Sequence, residues 1–427
     1  MAMKTKSIFW MAALGAVVGC GGNNDTGNNY LPMTSSRNVT PEAVDRASKS
    51  LKVGAAAKVP VAANEFGFKL FKDLIGKEAK ENIVLSPTSI SLALAMVSNG
   101  AAGDTKKAFD KALGVENLLP TEFNQAYKDL QTVLVAPDPK VQLTIANSLW
   151  AAQNVEFKRE FTGKNTDFFG AKVSAVDFTK TETLDTLNQW VSDATEKKIP
   201  KLFETLDPLT ILTLINAITF KGEWSQPFKA DDTKPHDFMT LAGKSVQVPM
   251  MKRTGDFSFR KEDKFSAVDI PFGDGKASMV IWAPNSGVNT ATLLKEFNGK
   301  KFAEVKSKFQ QVEGSVSIPK FKSEYSKTIN EQLKQLGLAP AFDSEKANFT
   351  AMTDLKPAFI SNVLHKAVIE VDEKGAEAAA ATGVEIKTTS APNPDRLVNF
   401  VADKPFLYAI VEKSTGTILF MGLYGQP

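Results

Sequence analysis

The chain has 427 residues but one cysteine, Cys20, and two histidines, His236 and His365. A single thiol cannot form a disulfide within the chain, and it excludes a cysteine-based zinc or iron–sulfur site. Two histidines leave little for a metal centre, and no Gly-x-Ser-x-Gly elbow presents a serine nucleophile. The composition therefore leads us to expect no metal, no cofactor and no catalytic residue. An excess of one charge is also missing: 51 Lys and Arg face 48 Asp and Glu, for a net charge of +3. With no basic stripe interleaved with aromatics, nucleic acid is not an expected partner. Beyond residue 60 there is neither a long Pro/Gly/Ser linker nor a solenoid repeat. What is present, 43% hydrophobic and 23% charged residues, suits a chain that buries a sizeable core.

The start of the chain reads as a delivery segment. Lys4 and Lys6 precede a short apolar run from Ser7 to Gly19, too short to span a membrane. The sole cysteine follows at once, in Val17-Val18-Gly19-Cys20, and then Gly21-Gly22-Asn23-Asn24. This resembles a bacterial lipoprotein signal, in which removal of residues 1–19 frees the Cys20 thiol for lipid attachment. The implied location is export, with lipid anchoring to the bacterial cell envelope at the outer membrane or surface. Several lipid chains hold firmly where one anchors marginally. Residues 20–60 are rich in Asn, Gly, Ser, Thr and Ala and read as a flexible tether, with the weak helix signal at Pro41-Glu-Ala-Val-Asp-Arg-Ala left inside it. Residues 61–427 read as one domain.

Within that domain Phe66, Leu70, Phe71 and Leu74 recur at helical spacing, Ser86-Pro87 opens an apolar helix over Ser89 to Val97, and an amphipathic helix from Asn188 stops at Pro200. Strand signals cover 209–220, 266–271, 278–283, 315–321, 364–373, 396–400, 406–412 and 417–423. Helices lead in the first half and strands in the second. The expected class is α+β, a helix layer on large, mostly antiparallel sheets. His236, among Asp231, Asp232 and Lys234, reads as a surface loop residue. Lys106, Lys107, Lys111 and the lysines from Lys295 to Lys308 are interleaved with acids, as on solvated helix faces rather than in a glycosaminoglycan patch.

One segment has two readings. By propensity Ala376 to Ala381 is helix, but Gly375 and Gly383 bracket it, and so short an isolated helix is marginal in water. Read with period two, one face carries Ala376, Ala378, Ala380, Thr382, Val384, Ile386 and Thr388. The other carries Glu377, Ala379, Ala381, Gly383, Glu385, Lys387 and Thr389, and with them all three charges. That is a half-buried strand, with Ala381 on the face left to solvent and its first residues small enough to slip between existing strands. A segment able to be both exposed loop and central strand is what a fold switch needs.

At this point the sequence resembles the serpins, over essentially all of residues 61–427. Glu373-Lys-Gly-Ala-Glu-Ala-Ala-Ala-Ala-Thr is similar to the hinge of inhibitory members, departing at Ala376 where Thr or Ser is usual. Asn82-Ile-Val-Leu-Ser-Pro-Thr-Ser-Ile, with Ser86 and Ser89, resembles the family's shutter. So do Asn216 in Leu-Ile-Asn-Ala-Ile-Thr-Phe-Lys-Gly-Glu-Trp and His365 in Leu-His-Lys-Ala-Val; Trp224 falls on the breach tryptophan. Ala402-Asp-Lys-Pro-Phe-Leu-Tyr and Leu419-Phe-Met-Gly resemble the C-terminal signature. The resemblance implies a serpin fold with an exposed reactive-centre loop at about 375–395, and a suicide-substrate inhibitor rather than an enzyme. A protease would cut the loop, remain bound as an acyl-enzyme, and be carried to the far pole as the freed strand inserts. The active form would then be kinetically trapped. Fourteen residues from Gly375 to Thr388 at ~3.3 Å each span roughly 45 Å, enough to cross the body.

Counting from Gly375 as in the commonest inhibitory members sets the scissile bond after Thr389. The segment from Ser390 to Arg396 is longer than usual, however, so the register can slide. Lys387 suits the acidic pocket of trypsin-like enzymes and equally a solvated loop; Thr388 or Thr389 suits elastase- or subtilisin-like enzymes. We expect more than one usable bond, foremost at Lys387 and Thr388, with serine and also cysteine proteases as partners of a monomer. His365 reads as a buried, hydrogen-bonded shutter residue rather than a catalytic base. The alternative function is a non-inhibitory serpin acting as a binding or chaperone module, whose hinge would usually carry bulky or charged residues on its inserting face.

Overall fold

The computed structural model describes residues 33–34, 39–78, 81–136, 138–376 and 398–427. Cys20, the signal segment, residues 20–32 and 35–38 of the tether, and Ala378, Ala380, Thr382, Val384, Ile386, Lys387, Thr388 and Thr389 lie outside the described residues.

The chain opens with β1 (Met33–Thr34), α1 (Pro41–Ser50), α2 (Lys58–Glu78), β2 (Ile83–Leu85), α3 (Pro87–Ser98), α4 (Gly103–Leu113) and α5 (Pro120–Leu134). It continues through β3 (Val141–Ala152), α6 (Arg159–Lys164), β4 (Lys172–Val176), α7 (Thr181–Ala194), β5 (Leu212–Glu223), β6 (Lys234–Met239), β7 (Ser245–Lys261), β8 (Phe265–Phe272) and β9 (Ala277–Pro284). After α8 (Thr290–Glu296) and α9 (Gly299–Ser307) come β10 (Gln310–Pro319), β11 (Phe321–Thr328), α10 (Asn330–Leu333) and β12 (Ile360–Val371). The last strands are β13 (Gly375–Ala376), β14 (Val398–Val401), β15 (Phe406–Glu412) and β16 (Thr417–Tyr424).

Two sheets result. The seven-stranded sheet runs β1-β3-β5-β13-β12-β11 with β4 beside β3, and the nine-stranded sheet runs β14-β10-β7-β8-β9-β15-β16-β2 with β6 beside β7. Pairing is mostly antiparallel; β3–β4, β5–β12 and β10–β14 are parallel. The class is α+β. Helices lead in the first half, α1 to α7, and strands in the second, β6 to β16, although β3 lies early and the short helices α8 to α10 lie late.

Helix α3 shows how local sequence sets position. Ser86 is its N-cap, with Oγ accepting the Ser89 N–H at 3.2 Å, and Pro87 stands in the first turn, where its missing N–H costs nothing. Every residue from Pro87 to Ser98 is buried, so the helix is apolar on all sides and sits inside the body. Helix α7 is amphipathic instead: Leu187, Val191 and Ala194 pack on Ala146, Trp150, Ile215 and Ala217 and cover the front of the seven-stranded sheet. It starts at Thr181, earlier than its periodicity suggests, and ends at Ala194 rather than at Pro200. Glu196 and Lys197, at φ 51° and 64°, turn the chain out of the helix first.

Several boundaries differ from expectation. Pro41–Ser50, placed in the tether, is helix α1: Thr40 caps it, accepting the Ala43 N–H at 3.3 Å, and Ala47 and Leu51 are buried. The strand expected over 315–321 is two strands in two sheets, parted at Lys320 after Pro319. The strand expected over 364–373 runs Ile360–Val371 and ends at a turn on Asp372. His236 lies on strand β6, exposed, not in a loop.

Candidate functional site

Strands β3, β5 and β12 bring one polar residue each into a single row, Asn147 opposite Asn216 and Asn216 beside His365. These side chains meet the N-terminus of α3. The Ser86 N–H donates to His365 Nε2 at 3.2 Å, so that nitrogen carries no proton, and Nδ1–H is left to donate to Asn216 Oδ1 at 2.7 Å. Asn216 Nδ2 donates in turn to Asn147 Oδ1 at 2.7 Å and to Ser89 Oγ. Burial pushes the imidazole pKa down from 6.5 to about 3, which keeps it neutral and the network intact. The candidates Ser86, Ser89, Asn216 and His365 thus form one network. Asn147 completes it and was not found from the sequence, although an asparagine inside the apolar run Leu143–Leu149 was a usable signal.

From Leu212 and Ile360 to Thr219 and Val368, β5 and β12 pair directly. Beyond those rungs they part, and β13 lies between them, with Gly375 against Glu223 and Ala376 against both Gly222 and Val371. Ala376, the departure from the usual hinge residue, is fully buried in this gap. Gly375 is required by contact: a Cβ there would stand 1.9 Å from the Gly222 carbonyl oxygen and 2.7 Å from Glu223 Cα. The remaining hinge candidates are outside the described residues.

The turn into β13 is held on several sides. Asp372 Oδ1 accepts the N–H groups of Lys374 at 2.8 Å and Gly375 at 3.1 Å, and the Asp372 N–H donates to Gly375 O at 2.8 Å. Trp224, stacked on Phe272 with ring centroids 4.3 Å apart, donates its indole N–H to Asp372 O at 2.9 Å. Its backbone N–H reaches Lys374 O at 2.8 Å, and that of Phe228 reaches Glu373 O at 2.8 Å. The Glu373 carboxylate takes Lys320 Nζ at 3.0 Å and Thr233 Oγ1 at 2.9 Å. Burial alone would raise its pKa, but hydrogen bonds from Lys320, the backbone and Thr233 hold it below the ordinary carboxylate value. Lys320, Thr233 and Asp372 had no local signal in the sequence.

Elsewhere chemistry is sparse. Among the described residues no group of three or more His, Cys, Asp or Glu is placed to hold a metal ion, and no helix is long and apolar enough to cross a membrane. Lys106 pairs with Asp110, Lys107 with Asp104 at 2.9 Å, Lys301 with Glu262 at 3.3 Å and Lys308 with Glu304 at 2.7 Å, as expected of solvated helix faces.

The seven-stranded sheet is thus parted at one end, with Gly375 and Ala376 seated in the parting. Residues 61–427 match the family described as Serpin (serine protease inhibitor). Human Serpin B11 is 33% identical over 85% of this chain and 98% of its own length, and bovine leukocyte elastase inhibitor 34% identical over 87% and 100%. Among solved structures, the thermophilic serpin tengpin in its native state superposes with a TM-score of 0.80 at 31% identity, covering 87% of this chain and 94% of tengpin. The chain belongs to the serpin family and has the serpin fold.

Proposed function

We propose that this protein inhibits serine proteases as a suicide substrate, through insertion of residues 377–386 between β5 and β12. The observation that carries the proposal is the seating of Gly375 and Ala376 in the gap, paired to both strands, at the start of a small-residue segment. The inhibitory name of the bovine relative supports the same reading. In the proposed step the protease serine attacks the carbonyl of residue 387, 388 or 389. The peptide bond breaks, the new amine leaves with the C-terminal segment, and the ester stays on the N-terminal one. No group of this chain takes part in the bond chemistry. Insertion competes with water for that ester.

Continuing the pairing of Gly375 with Glu223 and of Ala376 with Gly222 and Val371 sets Thr382 opposite both Asn216 and His365. The His365–Asn216 bond opens, and the Thr382 hydroxyl, which both accepts and donates, bridges the two. Ile386 falls beside Leu212 on β5 and Ser361 on β12, where the shared rungs end. In the same proposed register Ala381, read from periodicity as left to solvent, takes a different place. It lands beside Ala217 and Lys366, buried beneath α7 and the chain that follows it, not in solvent. Glu377 instead falls beside Lys221 and Glu370, the exposed part of that face.

Trypsin- and elastase-like enzymes are the proposed targets, through Lys387 and through Thr388 or Thr389, and cysteine proteases of matching specificity are included. Export and lipid attachment at Cys20 are proposed as well, which would display the inhibitor on a bacterial envelope. Incubation with trypsin and with an elastase, followed by denaturing electrophoresis, tests the function. We expect a covalent complex that survives boiling in detergent with at least one of them; only cleavage products with every protease tried would instead assign the chain to the non-inhibitory class.

A further inference from the structure

The proposed register can be followed along the face of the seven-stranded sheet that α7 and the chain after it cover. Extending the pairing of Ala376 with Gly222 and Val371 one residue at a time sets Glu377 beside Lys221 and Glu370, Gly383 between Ile215 and Leu364, and Glu385 between Thr213 and Asn362. Glu377 and Glu385 are the only acids from Ala376 to Thr389. The first reaches the exposed part of that face. The second reaches a covered part: Thr213 is 2% exposed, its β3 neighbour Trp150 is buried, and Leu202, Phe203 and Leu206 pack over the same front. Glu385 lies outside the described residues; its row comes from the register, and the inference rests on the function proposed above.

A carboxylate carried into a covered place needs hydrogen-bond donors, because a buried charge without partners is costly. In the resting sheet Thr213 and Asn362 stand opposite each other on β5 and β12. Among the described residues neither side chain has a hydrogen-bond partner. The adjoining rows on this face offer no such pair. Ile215 with Leu364 is wholly apolar, and Ala217 stands with Lys366, whose ammonium is engaged by Glu324 at 2.9 Å and by the Lys201 carbonyl at 3.3 Å. The segment matches these rows in order: its glycine meets the two aliphatic side chains, and its acid meets the two uncharged polar ones.

We propose that Thr213 and Asn362 are the seat of the Glu385 carboxylate in the inserted strand. When β5 and β12 part, the new strand lies about 4.8 Å from each, so residue 385 neighbours both side chains. The Thr213 hydroxyl donates to one carboxylate oxygen and the Asn362 Nδ2–H to the other. The two are positioning residues. Neither touches the ester, and both act by letting the strand complete its pairing as far as Ile386. Without them the charge halts the strand at Val384, and hydrolysis of the ester gains the time that insertion loses.

Thr213→Val with Asn362→Leu tests this by removing both donors at nearly constant volume. With trypsin and with elastase, the double variant is expected to be cut at the wild-type rate, within about twofold, and to give about tenfold fewer detergent-stable complexes per cleavage. Adding Glu385→Leu is expected to restore the wild-type yield within about twofold, since an aliphatic side chain suits the row once its donors are gone. A loss that Glu385→Leu does not restore would make Thr213 and Asn362 parts of the sheet's structure only, and no loss would mean that the carboxylate needs no seat; either overturns the inference. A second measurement needs no trapped protease. After the loop is cut and the protease removed, the double variant should melt about 5 °C below cleaved wild type, and Glu385→Leu should close that gap. Equal melting of all three cleaved forms would also overturn it. If wild-type protein forms no detergent-stable complex while the cleaved forms melt as expected, the proposed function fails and the seat stands. If complexes form and the double variant traps as wild type does, only the inference fails.

Discussion

Gly375 is the residue whose replacement by a single methyl group should do most to this protein. Its Cβ would stand 1.9 Å from the Gly222 oxygen and 2.7 Å from Glu223 Cα, contacts with strand backbone that no rotamer can relieve. Either β5 shifts or the hinge leaves the gap. Forced overpacking of this kind costs typically ~1–3 kcal/mol. The hinge already occupies that contact in the intact protein, so a variant that expels it must re-enter the gap as insertion begins; that cost falls on the insertion barrier and leaves the competing hydrolysis of the ester untouched. At 1.36 kcal/mol per tenfold, insertion by Gly375→Ala slows by roughly 5- to 150-fold relative to deacylation. The assay counts detergent-stable complexes per loop cleavage with trypsin or elastase. Ala376→Gly, which removes a methyl group from the same gap, is the control and should lose far less. A Gly375→Ala yield equal to wild type would refute the reasoning, because the hinge would then not travel by the contact observed.

Three further outcomes are expected. His365 is held neutral with its pKa near 3 against 6.5 in the unfolded chain, so it contributes stability above pH 6.5 that is lost as pH falls toward 3, at about 1.4 kcal/mol per unit. Denaturant unfolding of the intact protein between pH 6.5 and 5 should show this slope, and His365→Asn should lack it; identical profiles would contradict the network's protonation. Lys387→Ala should cost trypsin inhibition at least ~100-fold, because an unmatched charge remains in the enzyme's pocket, and spare elastase inhibition at Thr388. Equal loss against both enzymes, or none, removes the two-bond assignment. Cys20→Ser should move the protein from the membrane fraction to the soluble exported fraction with full inhibition, since Cys20 precedes every residue of the two sheets; retention on the membrane would exclude lipid attachment.

The elements legible in the sequence were those whose local signal agrees with their surroundings. Ser86-Pro87 announced α3 because cap and first-turn proline act within a few residues, and β15 and β16 were found nearly to their ends. Strand β3 carries no period-two signal because it is buried on both faces, and β7 has Pro249 and Gly255 inside it, residues that weaken any strand pattern. Helix α1 was read as tether since its inward face is small, Ala43, Val44, Ala47 and Leu51, although Thr40-Pro41-Glu42 is a start signal. At the site, the shutter residues stand out as polar interruptions of apolar runs. The clamp on the hinge does not: Thr233, Lys320 and Glu373 lie far apart in sequence, and only the closing of the sheets brings them together. Period two separates two faces of an inserting strand but cannot tell that α7 covers the part of the sheet around Ala217.

The central claim is that insertion in a fixed register, with Thr382 reaching the row of Asn216 and His365, is what traps the protease. Thr382→Arg would have to bury a guanidinium in that row, and an unpaired buried charge costs several kcal/mol even after relaxation. Glu377→Arg places the same side chain on the face beside Glu370, which is exposed. The measurement is the fraction of loop cleavages that end in a detergent-stable complex for the two variants, with trypsin and with elastase. The account predicts that Thr382→Arg is cut as an ordinary substrate with few complexes, and that Glu377→Arg traps nearly as well as wild type. Equal trapping by the two variants would contradict it.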